Sequence, residues 1–581
     1  VCRVGHDTDT DHHSVHFLSE EDGDRRAFIG SGQGVGGISI RMKDSYIECY
    51  PDAAQYKEDQ VVSIVIDAAP GKQKHSLQIR VSSIDGYLQE KYVETEGKQV
   101  VVLEKFPRGM YGVDLFEDGK AVAHTAFDVT GETERVVRYG FLTDFGTEEK
   151  TDEDIEFINK MHLTAIQFYD WMYRHDDLVY DGEEYDNPLG ISISNPVLRR
   201  KIELCKKHHI RPFAYGAVYA ASKSFYEKHR EWAMYTQEKE PITFADWLVF
   251  MNINRECGWS GHILEQFARA VKTLGFQGIH MDTYGYPKKA WTLDGEPINL
   301  EKDFPDLINS AAGEVRREDP EAGVIFNAVN DWPVESVAGS AQDSIYIEVW
   351  PPHDTYLDLV QLISKARRLS GGKQTILAAY MHPFAEKNDP ESAEKSFLLT
   401  FAVIHASGGY QLALGENKGI LCDSYYNKYA TLRDEFLPKV KAYSDFVVRY
   451  GELLFAKTIT DISMTATGGI NEDILFSSEQ TGFSVKPEAD KVWTKAGITD
   501  HRIILHLINL KGENSLWNVE KTNAIIAIED IGIRVLLDRR IRNVFLASPD
   551  TDGGMPKKLD FSVETGAQGK YLCLKNQRVE V

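Results

Sequence analysis

The sequence predicts a multidomain protein in which a central (β/α)8 TIM barrel is flanked by an N-terminal Ig-like β-sandwich and a C-terminal β-sandwich. Three observations carry this expectation. At 581 residues the chain exceeds one compact core and suits two to four domains. Its central half alternates strand and helix patterns, whereas both ends carry short strands bounded by turn residues. With 42% hydrophobic, 27% charged and 11% aromatic residues, its composition excludes global disorder and fibrous rods.

The elements follow in chain order. Residues 1–135 read as a polar, Gly-rich arm and then β structure. Ser76-Leu77-Gln78-Ile79-Arg80-Val81 alternates polar and apolar residues, the period of a half-buried strand. Val113–Phe116 and Ala121–Phe127 flank Asp118-Gly119, a hairpin signature. Residues 136–450 hold eight strand candidates: Val136–Leu142, Ala165–Tyr169, Arg211–Tyr215, Gly278–Asp282, Val324–Val329, Ser344–Trp350, Thr375–Met381 and Tyr410–Glu416. Helical patterns separate them. Asn195 is the expected N-cap of one helix, with Pro196 at its first position. Leu359, Leu362, Ile363 and Ala366 have helical spacing, as do Ala393, Phe397, Phe401 and Ile404. A doubly wound open sheet is the structural alternative. Residues 451–581 read as β again, with Arg502–Leu510, Ile533–Leu537, Val544–Leu546, Leu559–Val563 and Tyr571–Leu574 as strands and no further helices.

Charge narrows the function. The formal net charge of −24 repels polyanions, which disfavours nucleic acid and anionic lipid as partners. No apolar run is long enough to span a bilayer. The six cysteines are scattered, with no CxxC pair and no zinc spacing. The chain begins at Val1 and reads as a mature or trimmed form.

A barrel enzyme works at the C-terminal ends of its strands, so the question is which strand-end acids point inward. Alternation answers it. In Gly278-Ile279-His280-Met281-Asp282, Ile279 and Met281 should face the helices, which turns His280 and Asp282 to the axis. In Ser344–Trp350, Ile345, Ile347 and Val349 face outward, which turns Glu348 and Trp350 inward. The same parity allows Asn327 inward, whereas Glu416 should point outward. Two inward carboxyl groups at neighbouring rims suit glycoside hydrolysis, in which one acid protonates the departing oxygen and the other attacks or activates water. Either acid alone would equally suit a solvated strand end or an arginine partner. The segment Tyr169-Asp170-Trp171-Met172-Tyr173-Arg174-His175 adds rings and polar groups of the kind that bind sugars.

Other motifs fail. Gly32-Gln33-Gly34-Val35-Gly36-Gly37 matches GxGxxG but lacks the preceding strand and following helix. Asp7-Thr8-Asp9-Thr10-Asp11 opens like a calcium loop, yet Leu18 stands where that loop needs its bidentate glutamate. There is no GxSxG elbow.

These strings resemble glycoside hydrolase family 66, the dextranases and cycloisomaltooligosaccharide glucanotransferases. The resemblance rests on Tyr169–His175, on Gly275-Phe276-Gln277-Gly278 leading to Asp282-Thr283-Tyr284-Gly285, on Tyr346-Ile347-Glu348-Val349-Trp350, and on Leu414-Gly415-Glu416-Asn417 followed by Tyr425-Tyr426. It covers all three regions. It implies a retaining mechanism on α-1,6-linked glucan, with Asp282 as nucleophile and Glu348 as general acid/base. It further implies sugar contacts from Asp170, Trp171, Tyr173, His175, Asn327, Trp350 and Asn417. Cyclising members carry an inserted carbohydrate-binding module near the seventh and eighth units. Here about thirty residues join those strands, so the expectation is an endo-acting dextranase. The alternatives are a cycloisomaltooligosaccharide glucanotransferase, a catalytically silent glucan-binding protein or an α-amylase-like enzyme. No metal or organic cofactor is expected. The expected partners are dextran and isomaltooligosaccharides, at an extracellular, cell-surface or periplasmic location.

Overall fold

A computed structural model describes residues 47–68, 74–132, 134–147, 151–385, 389–522 and 525–581. The glycine-rich and aspartate-rich motifs of the N-terminal arm lie outside these residues. The protein is multidomain, with separate hydrophobic clusters in its N-terminal, central and C-terminal parts.

The central sheet contains eight strand positions, labelled here β1 (Tyr139–Leu142), β2 (Ala165–Phe168), β3 (Arg211–Ala217), β4 (Gly278–Asp282), β5 (Gly323–Val329), β6 (Ser344–Glu348), β7 (Thr375–Ala378) and β8. β8 comes in two pieces, Tyr410–Gln411 and Leu414–Gly415. Neighbours pair in parallel and in chain order. The first piece of β8 pairs with β7, and its second piece returns to β1, which curls the sheet upon itself. An open doubly wound sheet would leave β1 and β8 unpaired with each other.

Packing fixes the inward parity. A Cβ on Gly278 would lie 2.3 Å from the Phe213 ring, so only glycine lets β3 and β4 approach with Phe213 between them. Ile279 and Met281 are fully buried on the opposite face. His280 stacks on Tyr139, with ring centres 5.8 Å apart, and meets Tyr346 edge-on at 4.8 Å. The axis is therefore filled by rings rather than open. The helix Gly258–Leu274 ends at Gly275, whose φ of 85° gives a left-handed C-terminal cap that feeds the chain into β4.

The helix Tyr356–Leu369 begins with a reciprocal capping box between Thr355 and Asp358 and buries Leu359, Leu362, Ile363 and Ala366 as spaced in the sequence. Pro390–Ala406 likewise buries Ala393, Phe397 and Ile404. The Asn195 expectation is corrected by one position. Ser194 is the N-cap, and the Asn195 amide donates instead to the carbonyls of Tyr180 and Gly182.

In the N-terminal part, a three-stranded and a five-stranded sheet enclose a cluster that includes Ile64, Ile79, Val113 and Phe127. Its hairpin Gly109–Glu117 and Lys120–Thr130 turns through Asp118 and Gly119, both at positive φ. After residue 451 two four-stranded sheets and a two-stranded ribbon follow. Two short helices, Gly451–Leu454 and Ser463–Ala466, correct the expectation that helices stop there. No helix of the described residues is long and apolar enough to cross a membrane.

Candidate functional site

Asp282 ends β4 and Glu348 ends β6. Between them, on β5, lies Asn327, almost fully buried. Its amide nitrogen donates to Asp282 Oδ1 at 2.8 Å and to Glu348 Oε2 at 3.0 Å. An amide spreads its two hydrogens by about 120°, which places the two acceptor oxygens about 5 Å apart. The remaining oxygens also take neutral donors. The Tyr215 hydroxyl donates to Asp282 Oδ2 at 2.8 Å, and the Tyr380 hydroxyl to Glu348 Oε1 at 3.1 Å. Trp350 follows Glu348 by two residues, and its ring stands 6.0 Å from that of Tyr380.

Among the described residues no cationic side chain pairs with either carboxylate. Both groups keep some surface open to the cleft, yet they sit deep enough to lose much hydration. Desolvation pushes Asp282 up to about 6, held back by bonds from Asn327, Tyr215 and the Thr283 backbone. Glu348 is pushed up to about 7, first by desolvation and then by the nearby Asp282 charge. Glu348, which feels the Asp282 charge, is thus the one held more strongly in its protonated form.

Asp170 lies just beyond β2 at a φ of 53°, a region that residues other than glycine seldom adopt. Its carboxyl is pushed up to about 7 by desolvation and by Asp282. Its Oδ2 is buried without a hydrogen-bond partner among the described residues, as is His175 Nδ1. Burial lowers His175 to about 3, so its ring is neutral; it stands edge-on to Trp247 at 5.4 Å. Tyr169 stacks on Tyr426 at 4.3 Å near Tyr215.

Three expected sugar contacts are placed elsewhere. Trp171 is fully buried, packs on Phe276 and donates its indole N–H to the Tyr215 carbonyl at 3.1 Å. It supports the strand that carries Tyr215 and offers no face to a ligand. Tyr173 packs with Tyr180 and Tyr185 beneath the Arg174 guanidinium. Asn417 is exposed in the tight turn after β8, with its backbone N–H bonded to Asp154. Neighbouring Glu416 turns away from the axis to Thr143, the Asp144 backbone and Lys201.

Sequence reasoning missed Tyr215 and Tyr380. Tyr215 shares the inward parity of Phe213 on β3 and was legible that way. Tyr380 falls inside the expected strand Thr375–Met381, but β7 ends at Ala378, two residues before it, so alternation along that strand does not set its direction. Among the described residues no group of three or more His, Cys, Asp or Glu side chains is placed to hold a metal ion.

Two carboxyl groups facing each other across one amide at the ends of strands in a curled parallel sheet are an arrangement found in enzymes that cleave or transfer glycosidic bonds. The chain belongs to glycosyl hydrolase family 66, whose family model matches residues 51–577. Two curated relatives, both cycloisomaltooligosaccharide glucanotransferases of Niallia circulans, are 22% and 23% identical. Those matches cover 80% and 77% of this chain but only 63% and 61% of the relatives, so the chain spans less than two-thirds of their length. A crystal structure of a Paenibacillus sp. cycloisomaltooligosaccharide glucanotransferase with cycloisomaltoheptaose superposes with a TM-score of 0.82 at 20% identity. It covers 92% of this chain and 98% of that one.

Proposed function

We propose that the chain is a retaining enzyme on α-1,6-linked glucan, with Asp282 as nucleophile and Glu348 as general acid/base. The observation that carries this reading is the Asn327 amide bridging the two carboxylates at 2.8 and 3.0 Å. A separation of about 5–5.5 Å lets Asp282 attack C1 directly, whereas an inverting pair needs room for an intervening water. In the first step the C1–O6 bond breaks as Asp282 bonds C1, and Glu348 gives its proton to the departing O6. In the second, Glu348 takes a proton from the acceptor hydroxyl, which attacks C1 and releases Asp282. Asn327 and Tyr215 hold the nucleophile's oxygens, and Asp170, His175 and Trp350 line the sugar.

In this reading the curled sheet is a catalytic (β/α)8 barrel over residues 136–450. Residues 1–135 and 451–581 form the flanking β-sandwiches, and the substrate implies an extracellular, cell-surface or periplasmic setting. The acceptor is a sugar hydroxyl, as in a cycloisomaltooligosaccharide glucanotransferase, because the relatives matched over most of this chain carry that name.

A second reading, hydrolysis by an endo-acting dextranase, is favoured by one specific feature. β7 and β8 are joined by the single helix Pro390–Ala406 and a short turn. The match to one relative also extends over 614 positions while taking up only 80% of this chain, so a long stretch of that relative has no counterpart here. Time-resolved product analysis of dextran digests by mass spectrometry separates the two. Rings lacking the mass of one water are expected for the transferase. Linear oligosaccharides throughout would overturn it in favour of the dextranase. Turnover of soluble starch but not dextran would overturn the α-1,6 assignment.

A further inference from the structure

The C-terminal region reaches back to the acid. Between its strands Ile503–Asn509 and Ile528–Leu536, a long connection leaves the sheets and docks on the rim near β6 and β7. Trp517 is 3% exposed and belongs to the central hydrophobic cluster rather than the C-terminal one. Its indole N–H donates to the His353 carbonyl at 2.8 Å and its backbone N–H to the Asp354 carbonyl at 3.1 Å. Leu516 bridges Thr355, and the Tyr356 N–H donates to the Ser515 carbonyl at 2.9 Å. The loop from Trp350 to Thr355, which follows Glu348 directly, is thus held from outside its own domain.

The next residue holds the neighbouring loop. Asn518 Oδ1 accepts the His382 N–H at 2.9 Å, and its Nδ2 meets His382 Nδ1 at 2.9 Å. His382 stands two residues after Tyr380, and its N–H also approaches the Tyr380 carbonyl at 3.2 Å. The connection itself is anchored. The Trp517 carbonyl accepts from Ser396 and Thr400 on the helix between β7 and β8, and Glu513 pairs with Lys395 of that helix at 2.6 Å.

We propose that Trp517 and Asn518 are positioning residues for Glu348, pinning the loop that follows it from Trp350 and the loop that presents its hydrogen-bond donor Tyr380. The inference rests on the proposed role of Glu348 as proton donor. Neither residue touches the reacting atoms; each acts by keeping the carboxyl of Glu348 aimed at the departing oxygen. A small error in that aim slows the cleavage step that needs the proton and the later step that needs the base, but spares bond breaking when the leaving group departs unprotonated.

The test uses the full chain with Trp517→Phe, which removes the indole donor and keeps a smaller aromatic ring, and Asn518→Ala, with Glu348→Gln in parallel. Each is assayed for steady-state turnover of dextran and for first-turnover release of fluoride from isomaltosyl fluoride, whose leaving group departs without a proton. For Trp517→Phe and Asn518→Ala, kcat on dextran should fall about tenfold with KM within about twofold, while first-turnover fluoride release stays within about twofold of the parent. Equal losses on both substrates mark a merely structural role and overturn the inference, as does undiminished turnover of dextran. If Glu348→Gln loses dextran turnover, keeps first-turnover fluoride release and the other two match the parent, only the positioning claim falls. If Glu348→Gln still turns over dextran, the acid assignment falls and this inference with it.

Discussion

Two sets of buried carboxylates in this protein meet opposite electrostatic fates. Asp445, on the helix Leu437–Arg449, joins the central and N-terminal parts. It accepts from Lys441 at 2.7 Å, from His162 at 2.6 Å and from Thr125 at 3.1 Å. Asp114 is gripped by both terminal nitrogens of Arg449 at 2.8 Å. Burial works against both charges, but these partners outweigh it and hold both carboxyls below their usual range. Asp282 and Glu348 receive only neutral donors and are pushed up instead. Burial alone therefore does not mark a functional acid. Loss of hydration without a counter-charge, at a strand end, marks a candidate for one.

The sharpest break between the two sets is functional. Asp282→Ala should lower kcat on dextran by at least about 10⁴-fold, since the covalent step disappears, while leaving the melting temperature unchanged or higher. Steady-state assays and thermal melts on the same preparation check both halves. The reverse is expected at the structural cluster. Asp445→Asn strands the buried Lys441 charge and should cost about 3–5 kcal/mol in denaturant unfolding, with kcat of the folded fraction near that of the parent.

Asn327→Ala probes the bridge. Its amide lowers the proton affinity of both acids, so its removal raises both. The parent should show a bell-shaped profile of activity, with its acid limb near about 6 and its alkaline limb near about 7. The variant should move both limbs to higher pH and lose about 10–100-fold at the optimum. Limbs that stay in place would remove Asn327 from the electrostatics.

The smallest expected effect concerns stability against pH. Glu348 has a raised pKa in the fold, so the folded state binds the extra proton between about 4.3, its unfolded value, and about 7. Its contribution to stability falls as pH rises through that window. Glu348→Gln should therefore melt higher than the parent at pH 8, with the gain vanishing near pH 4. Asp445 has the opposite sign: its stabilisation is present above about 3.9 and is lost as pH falls through its depressed folded value.

How far the sequence reached follows from the same physics. Alternation along a strand is strictly local, so the inward turn of Asp282 and Glu348 was legible from Ile279 and Met281 and from Ile345 and Ile347. The Asp118-Gly119 hairpin and the helix faces were legible for the same reason. Ring density was a weaker guide. Among the neighbours Trp171, Tyr173 and His175, which ring is buried depends on Phe276 and Trp247, far along the chain, and on the fold of the nearby loop that carries Tyr180. Tyr380 escaped because it lies past its strand. Trp517 escaped because its contacts lie more than a hundred residues away. The strands Ile474–Ser477 and Lys491–Ile498 were also passed over, since both mix polar and apolar residues without clean alternation.

Trapping the intermediate is the most direct test of the retaining pair. Glu348→Gln incubated with isomaltosyl fluoride should form the glycosyl-enzyme faster than it can be resolved, since departure of fluoride needs no acid whereas its breakdown lacks a base. Intact mass spectrometry should then show one added isomaltosyl unit, and peptide mapping should place it on Asp282. An adduct on another carboxylate, or an unmodified protein releasing product of inverted anomeric configuration, would contradict the account.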